Sequence, residues 1–483
     1  AQETFWLKPL GQASHRPRRA GHASRRELMA SRRTRYAVVG TGSRCRMFFD
    51  AICGPYKEHA ELVGLCDIST TRVAYWQTYL QKTFGLDTPV YKAAEFDQLI
   101  HATRPDVVIV TTVDATHNTY IVRAMELGCD CITEKPMTTD ADKAKQIFDV
   151  IARTGRSLRV TFNYRYMPAF TKLREIVKSG AIGEPTMVNF TWWLDTSHGA
   201  DYFRRWHRQK EHSGGLLVHK ATHHFDLVNF ILADYPEEVY CMGKLAFYGE
   251  DNAKQRGEHE RTVYDRYTGN VTRRDDPFAL ELKDGGEFQG VYLDAEADSH
   301  SYVRDRNVFG GQEKWPIDIE DTMAITARYR KGALLSYSLM AYSPWEGERV
   351  IISGTKGQVE YFSRGKGHII RGQSDQELAK EQYVGERYIR LQPMFKPPQE
   401  LEVPPAYGAH GGGDQRLLER IFMPAHLLSD DEFERDATHI DGAASIMMGV
   451  AANRSIETRG PVKVNDVFNL PPRIAAGTRP ARL

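Results

Sequence analysis

Net charge, long apolar runs and cysteine are all scarce in this 483-residue chain. Lys plus Arg number 64 against 63 Asp plus Glu, a balance of +1, which is too weak a field to recruit nucleic acid or another polyanion. The expected partner is a small molecule, with no nucleic acid. No apolar run approaches the roughly 20 residues that cross a bilayer, so no membrane partner is expected. The six cysteines lack the regular spacing of a small secreted disulfide scaffold; a reducing, cytoplasmic setting is the expectation. No unit recurs at a fixed period, which excludes solenoids and propellers. What the chain does have is length, enough for two or three domains at about 150 residues each, and two are expected.

Residues 1–33 read as a disordered basic extension, with Arg16, Arg18, Arg19, Arg25 and Arg26 but little apolar periodicity. Met29 offers a start within it, and the amphipathic pattern of a transit peptide is poor.

Residues 34–162 open as strand, glycine turn, helix and strand. Tyr36 to Val39 is a short apolar run suited to burial on both faces of a sheet, and Gly40 and Gly42 follow as the first two positions of G-x-G-x-x-G. Glycine there lets the backbone turn sharply and approach a pyrophosphate at the next helix N-terminus. Cys45 stands at the third position, where it should loosen that helix. Asp67 closes the second strand; a carboxylate so placed accepts hydrogen bonds from ribose hydroxyls and repels a 2′-phosphate. NAD is expected over NADP. Helices over 70–84, 95–103, 116–128 and 140–153 alternate with strands at 89–91, 106–112, 129–133 and 157–162, predicting a doubly wound parallel sheet. Ligands of such sheets lie beyond the strands' carboxyl ends. The candidate cofactor residues there are Gly40, Gly42, Ser43, Arg44, Asp67, Thr111, Thr112, His117, Glu134 and Lys135.

The stretches GTGSR, CDIST, TTVDATH and TEKPMTTD, in this order, resemble the glucose-fructose oxidoreductase, inositol dehydrogenase and MocA-like (Gfo/Idh/MocA) family over Arg35 to Leu470. That resemblance implies an α/β protein: an N-terminal Rossmann domain, then a C-terminal α/β domain at 163–470 built on a large open, mainly antiparallel sheet, and a tail at 471–483. It also implies that Lys135 lies between the nicotinamide ribose and the substrate, with its ammonium polarising an oxygen, and that His117 lies near the same ribose.

The second half reads differently. EVYCMGKLAFYG, ERTVYDRYTG, ALLSYSLMAYSP and RVIISGTKGQVEYF alternate apolar and polar residues, as antiparallel strands with one face left for a ligand or a subunit partner. A homo-oligomer through this sheet is expected. Ser213 to Leu232 reads as a glycine turn and one helix, on which His219, His223 and Asp226 share a face. By the resemblance, His223 matches the family's active-site histidine and Asp226 the acid after it, while His219 falls where the family often has aspartate. His223 therefore suits proton exchange, with His219 beside it. Tyr164, Arg165, His224 and Asp226, with Asp195 and His198 from WWLDTSHGADYFRRWHR, are candidate substrate contacts. His219 and His223 could also hold zinc or manganese, with Asp195, His198 or His410 as third ligand; a divalent metal is not the favoured reading. HGGGD at 410–414 reads as a loop whose backbone approaches substrate, and the helix from His439 reads as core.

The function expected is NAD-dependent hydride transfer from a secondary hydroxyl of a sugar, glycoside or cyclitol, with glycoside C3 as one target. Redox-neutral glycoside cleavage through a keto intermediate and elimination is the alternative, and a non-catalytic NAD-binding regulator is the second.

Overall fold

The chain's fold is seen in a computed structural model that describes residues 32–280, 291, 304–366, 385–403 and 409–473. Residues 1–31 of the basic extension and the tail beyond 473 lie outside this range.

The apolar run after Thr34 forms β1 (Thr34–Val39), whose last four residues are buried, and the helical periodicity after it forms α1 (Arg46–Cys53). Strands β2 (Ala60–Asp67), β3 (Val90–Lys92), β4 (Val107–Val110), β5 (Asp130–Thr133) and β6 (Leu158–Val160) follow. Between them run α2 (Thr70–Phe84), α3 (Phe96–Thr103), α4 (His117–Glu126) and α5 (Ala141–Thr154). Local chemistry sets the helix limits. The Ser69 side chain accepts from the Arg72 N–H at the start of α2, and Asp140 accepts from Lys143 at the start of α5. Left-handed Gly85 and Gly155 end the two helices. The strands pair in parallel in the order β6-β5-β4-β1-β2-β3, the doubly wound order whose crevice opens beside β1 and β4. A seventh strand from the far end of the chain, β15 (Ala437–Thr438), adds antiparallel to β6.

The second sheet has nine strands among the described residues. These are β7 (Pro185–Asp195), β8 (Pro236–Lys244), β9 (Thr322–Tyr329), β10 (Leu334–Ser343), β11 (Glu346–Gly354), β12 (Gly357–Lys366), β13 (Arg387–Pro393), β14 (Gln399–Leu401) and β16 (Val462–Lys463). Their order is β14-β13-β12-β11-β7-β10-β9-β8-β16, and only β7 and β10 pair in parallel. Alternation sorts the faces: Met323, Ile325 and Ala327 are buried while Ala324, Thr326 and Arg328 are exposed. Helices α6 (Pro168–Lys178), α9 (Thr222–Leu232) and α11 (His439–Thr458) bury the inner face. The last is core, as its composition suggested, with Ala443 to Met448 fully or almost fully buried.

Two expectations fail. ERTVYDRYTG is not a strand: beyond one bridge between Arg266 and Arg306 it is turns. Side chains take its backbone groups in place of a neighbouring strand; the Asn307 amide donates to the Arg261 and Tyr264 carbonyls, and Asp305 accepts from the Thr268 N–H. The histidine segment is not one helix either. It divides into α8 (Leu216–His219) and α9, because the Ala221 N–H reaches five residues back to the Leu216 carbonyl and widens the turn.

Candidate active site

The crevice begins at the turn after β1. Gly40 has φ +89°, and a Cβ there would lie 2.5 Å from the backbone of Thr111 and Thr112, so only glycine lets β1 and β4 approach. Gly42 is different: an added Cβ would meet no protein atom within 4 Å. Both glycines line a cavity of about 550 Å³, and the bare backbone at Gly42 leaves room for a ligand to press against the turn. The Cys45 thiol donates to the Gly42 carbonyl at 2.9 Å, and one 3₁₀ turn, Ser43–Cys45, precedes α1.

Every residue assigned above to the cofactor lines this cavity. Asp67 accepts from the Thr41 N–H and hydroxyl and, with its other oxygen, from the Ser69 N–H. Arg44 donates from Nε to Glu134 at 2.8 Å and is bridged to Asp414 at 3.2 Å, which fixes a cation beside the glycine turn. His117 lies with Nδ1 2.9 Å from the Pro136 carbonyl and Nε2 3.1 Å from the Thr112 carbonyl. Burial lowers its pKa, and a neutral ring donates to one carbonyl at a time; it ties the β4 loop to the Lys135–Pro136 loop.

At the far end, Lys135 donates from Nζ to the His219 carbonyl at 3.3 Å. Its ammonium is destabilised by burial and supported by Asp114, with the net pKa below the usual lysine value. Asp114 Oδ2 and His219 Nδ1 are 2.5 Å apart. Burial disfavours charge on both, raising the carboxyl and lowering the imidazole. That bond occupies Nδ1 and leaves Nε2 as the ring nitrogen of His219 for a ligand. His223, one turn on, stacks on Tyr164 with centroids 4.0 Å apart, and both line the cavity with His198.

Residues 34–162 match the oxidoreductase family NAD-binding Rossmann fold (GFO_IDH_MocA), and residues 174–464 match that family's C-terminal alpha/beta domain. The chain belongs to the Gfo/Idh/MocA oxidoreductase family. It is 33% identical over 449 residues to YteT of Bacillus subtilis, named as an oxidoreductase, covering 89% of this chain and 98% of that protein. It is 27% identical over 205 residues to inositol 2-dehydrogenase of Rhizobium meliloti, covering 42% of this chain and 57% of that one. An oxidoreductase from Agrobacterium radiobacter, solved in complex with NAD+, L-tartaric acid and magnesium, shares the fold with a TM-score of 0.57 at 15% identity, over 90% of this chain and 100% of that chain.

Within this Gfo/Idh/MocA site, four of the residues assigned to substrate are absent from the cavity wall. Arg165 and Asp226 form a buried ion pair with Asp441, which joins the domain junction to α9 and α11. His224 stacks on Trp192 at 4.2 Å and is 2.7 Å from the Tyr337 hydroxyl, deep in the core. Asp195 accepts from the N–H groups of Ser197 and His198 and caps the helix Thr196–Arg204. The burial of all four follows from their partners. The His410 side chain lies outside the described residues.

Cavity residues that the sequence reading did not nominate include Asp114, Tyr202, Arg205, His207, Lys220, Arg304 and Glu346. Asp114 had a usable signal, since it sits between Thr111 and His117 at a strand's carboxyl end. Among the described residues, no three His, Cys, Asp or Glu side chains gather to hold a metal ion. Two of the third ligands considered are otherwise engaged: His198 lies against Glu346 at 2.8 Å and the Tyr202 hydroxyl at 3.0 Å, and Asp195 caps its helix.

Proposed function

We propose that this chain is an NAD-dependent dehydrogenase acting on a secondary hydroxyl of a sugar, glycoside or cyclitol. The observation that carries this reading is the gathering of Lys135, the Asp114–His219 pair and His223 in the same cavity as the Gly40–Arg44 turn. The open space at Gly42 and the carboxylate of Asp67 suit NAD, and Ser43, Arg44, Thr111 and Thr112 would hold it. When bound, NAD supplies the hydride acceptor. The Lys135 ammonium donates to the substrate oxygen and stabilises the negative charge that grows on it. Proton removal is placed at His219 Nε2, one helical turn before His223, because Asp114 holds Nδ1 and stabilises the imidazolium as it forms. His223, stacked on Tyr164, shapes the wall beside the reacting hydroxyl.

The sheet's outer face supports a homo-oligomer. Tyr240 and Met242 of β8, Leu334 of β10 and Met187 of β7 are exposed there, and light scattering of the purified protein checks the assembly. A cytoplasmic setting accords with six free thiols. No helix among the described residues is long and apolar enough to cross a membrane.

The test is a panel of cyclitols, neutral sugars, uronates and glycosides, each incubated with the enzyme and either NAD or NADP. NADH and a keto product are expected, at C3 for a glycoside. NADP used as well as NAD would overturn the role of Asp67. Free sugar and aglycone without NADH, with deuterium from heavy water at C2, would replace net oxidation with redox-neutral cleavage.

A further inference from the structure

The cavity wall contains a cation that the chemistry above does not use. Lys220 follows His219 between α8 and α9 and is only 4% exposed, yet it lines the cavity. Its Nζ donates to the Tyr164 hydroxyl at 3.3 Å and lies 4.9 Å from the Trp192 ring centroid. Among the described residues no carboxylate comes within 4.0 Å of it.

The nearby acids act on it only from beyond ion-pair distance. Glu346, on the same wall, is held by His198 at 2.8 Å and accepts from the Asp195 N–H. Glu348 is buried, accepts from the Tyr361 hydroxyl and is pushed up to about 8 by desolvation, so it is protonated at neutral pH. Burial pushes Lys220 itself down to about 8, above neutrality, so most of the ammonium persists. A buried ammonium whose direct contacts are aromatic rings and a hydroxyl, with Glu346 acting on it from beyond 4 Å, is incompletely compensated. It has three N–H donors, of which one is given to Tyr164. Arg205 and Arg304 line the same cavity and both pair with Asp201, at 2.7 and 2.6 Å. Lys135, Lys220, Arg205 and Arg304 thus line the same cavity, where Asp114 is engaged by His219 and Glu346 lies against His198.

We infer that the substrate carries a carboxylate and that Lys220 binds it, making acidic sugars, such as uronates and their glycosides, the substrate class of this site. The inference rests on the dehydrogenase reading above. A carboxylate fits better than a phosphate, because one point-like ammonium walled by aromatic rings lacks the fork of donors that phosphate sites use, and Glu346 would oppose a dianion more than a monoanion.

Matched pairs test it: D-galacturonate against D-galactose, their methyl glycosides, and galactose 6-phosphate, each with the wild type, Lys220→Met and Lys220→Gln. Wild type should favour the carboxylate of each pair in kcat/KM. Both variants should reduce that preference by about 100-fold, the worth of a charged hydrogen bond. In the NAD-loaded protein, the thermal shift given by galacturonate should vanish in both variants while their unliganded melting temperatures stay near wild type. Equal turnover of neutral and acidic sugars, preference for the phosphate, or an unchanged preference in the variants overturns the inference. NADH from none of the sugars, together with a galacturonate thermal shift that depends on Lys220, would sustain carboxylate binding and overturn the dehydrogenase reading instead.

Discussion

Replacing Asp114 by Asn isolates the charge in the Asp114–His219 pair at nearly constant shape. The amide oxygen can still accept from Nδ1, so the ring keeps its place and its tautomer. What disappears is the anion that stabilises the imidazolium once His219 has taken the substrate proton. A hydrogen bond to a charged group contributes about 1.5–3 kcal/mol, against about 0.5–1.5 for a neutral one. With Asp114 only 3% exposed, solvent does little to replace the lost charge, and a net loss of about 1–2 kcal/mol follows. That corresponds to a fall of roughly 5–30-fold in the rate of hydride transfer. The assay is single-turnover NADH formation with a substrate deuterated at the reacting carbon, so that the isotope effect reports whether chemistry is being observed. NAD affinity, measured by titration, should stay within about twofold, because Asp114 lies at the substrate end. His219→Ala removes the base itself and should cost on the order of 100-fold or more. If Asp114→Asn and His219→Ala both kept near wild-type rates while His223→Ala lost them, proton removal would belong to His223 and the reasoning here would be refuted.

Gly42→Ala should fold normally, since no protein atom lies within 4 Å of the added carbon, yet bind NAD at least about tenfold more weakly by fluorescence titration; unchanged affinity would place the dinucleotide elsewhere. The pH profile of kcat/KM should have an alkaline limb below the ordinary lysine value of 10.5, because burial lowers the Lys135 pKa and its ammonium, needed to polarise the substrate oxygen, is lost as pH rises through it. Lys135→Ala should abolish that limb along with most turnover. Asp436, half-buried beside Arg159 and Arg420, is depressed from 3.8 to about 2 as their charges outweigh desolvation. Its stabilisation is present above the unfolded value and lost as pH falls toward 2, so Asp436→Asn should cost about 2 kcal/mol at pH 7 in denaturant melts and nothing near pH 2.

The N-terminal half was legible nearly element by element, because burial on both faces makes each strand an uninterrupted apolar run and left-handed glycines punctuate the helices. That the residues expected at the cofactor would share one cavity was legible for the same reason: a parallel sheet brings all its carboxyl ends to one crevice. The cavity wall around Lys135 was not. Asp114 and His219 are 105 positions apart and meet only when the two domains do. Arg165, His224 and Asp226 carry the polar chemistry of a binding site, but each found a partner inside the protein, and sequence spacing cannot tell a satisfied core group from one that faces a ligand. Lys220 shows the reverse, since among the described residues no carboxylate forms an ion pair with it. The division of the histidine segment turns on one wide turn at Ala221, which no helix-breaking residue announces.

The short strand β15 has a consequence for anyone who would divide this protein. Ala437 and Thr438 cross back to cap β6 of the nucleotide-binding sheet, and Arg159 of β6 donates to the Arg420 carbonyl from the same returning segment. A fragment cut at residue 162 would therefore leave β6 as a bare edge, with unpaired backbone groups ready to template aggregation. The nucleotide-binding half is contiguous in sequence but incomplete as an object. Chimaeras that exchange it between relatives should keep residues 409–438 with the half they complete, and a design that does not should be recovered from inclusion bodies.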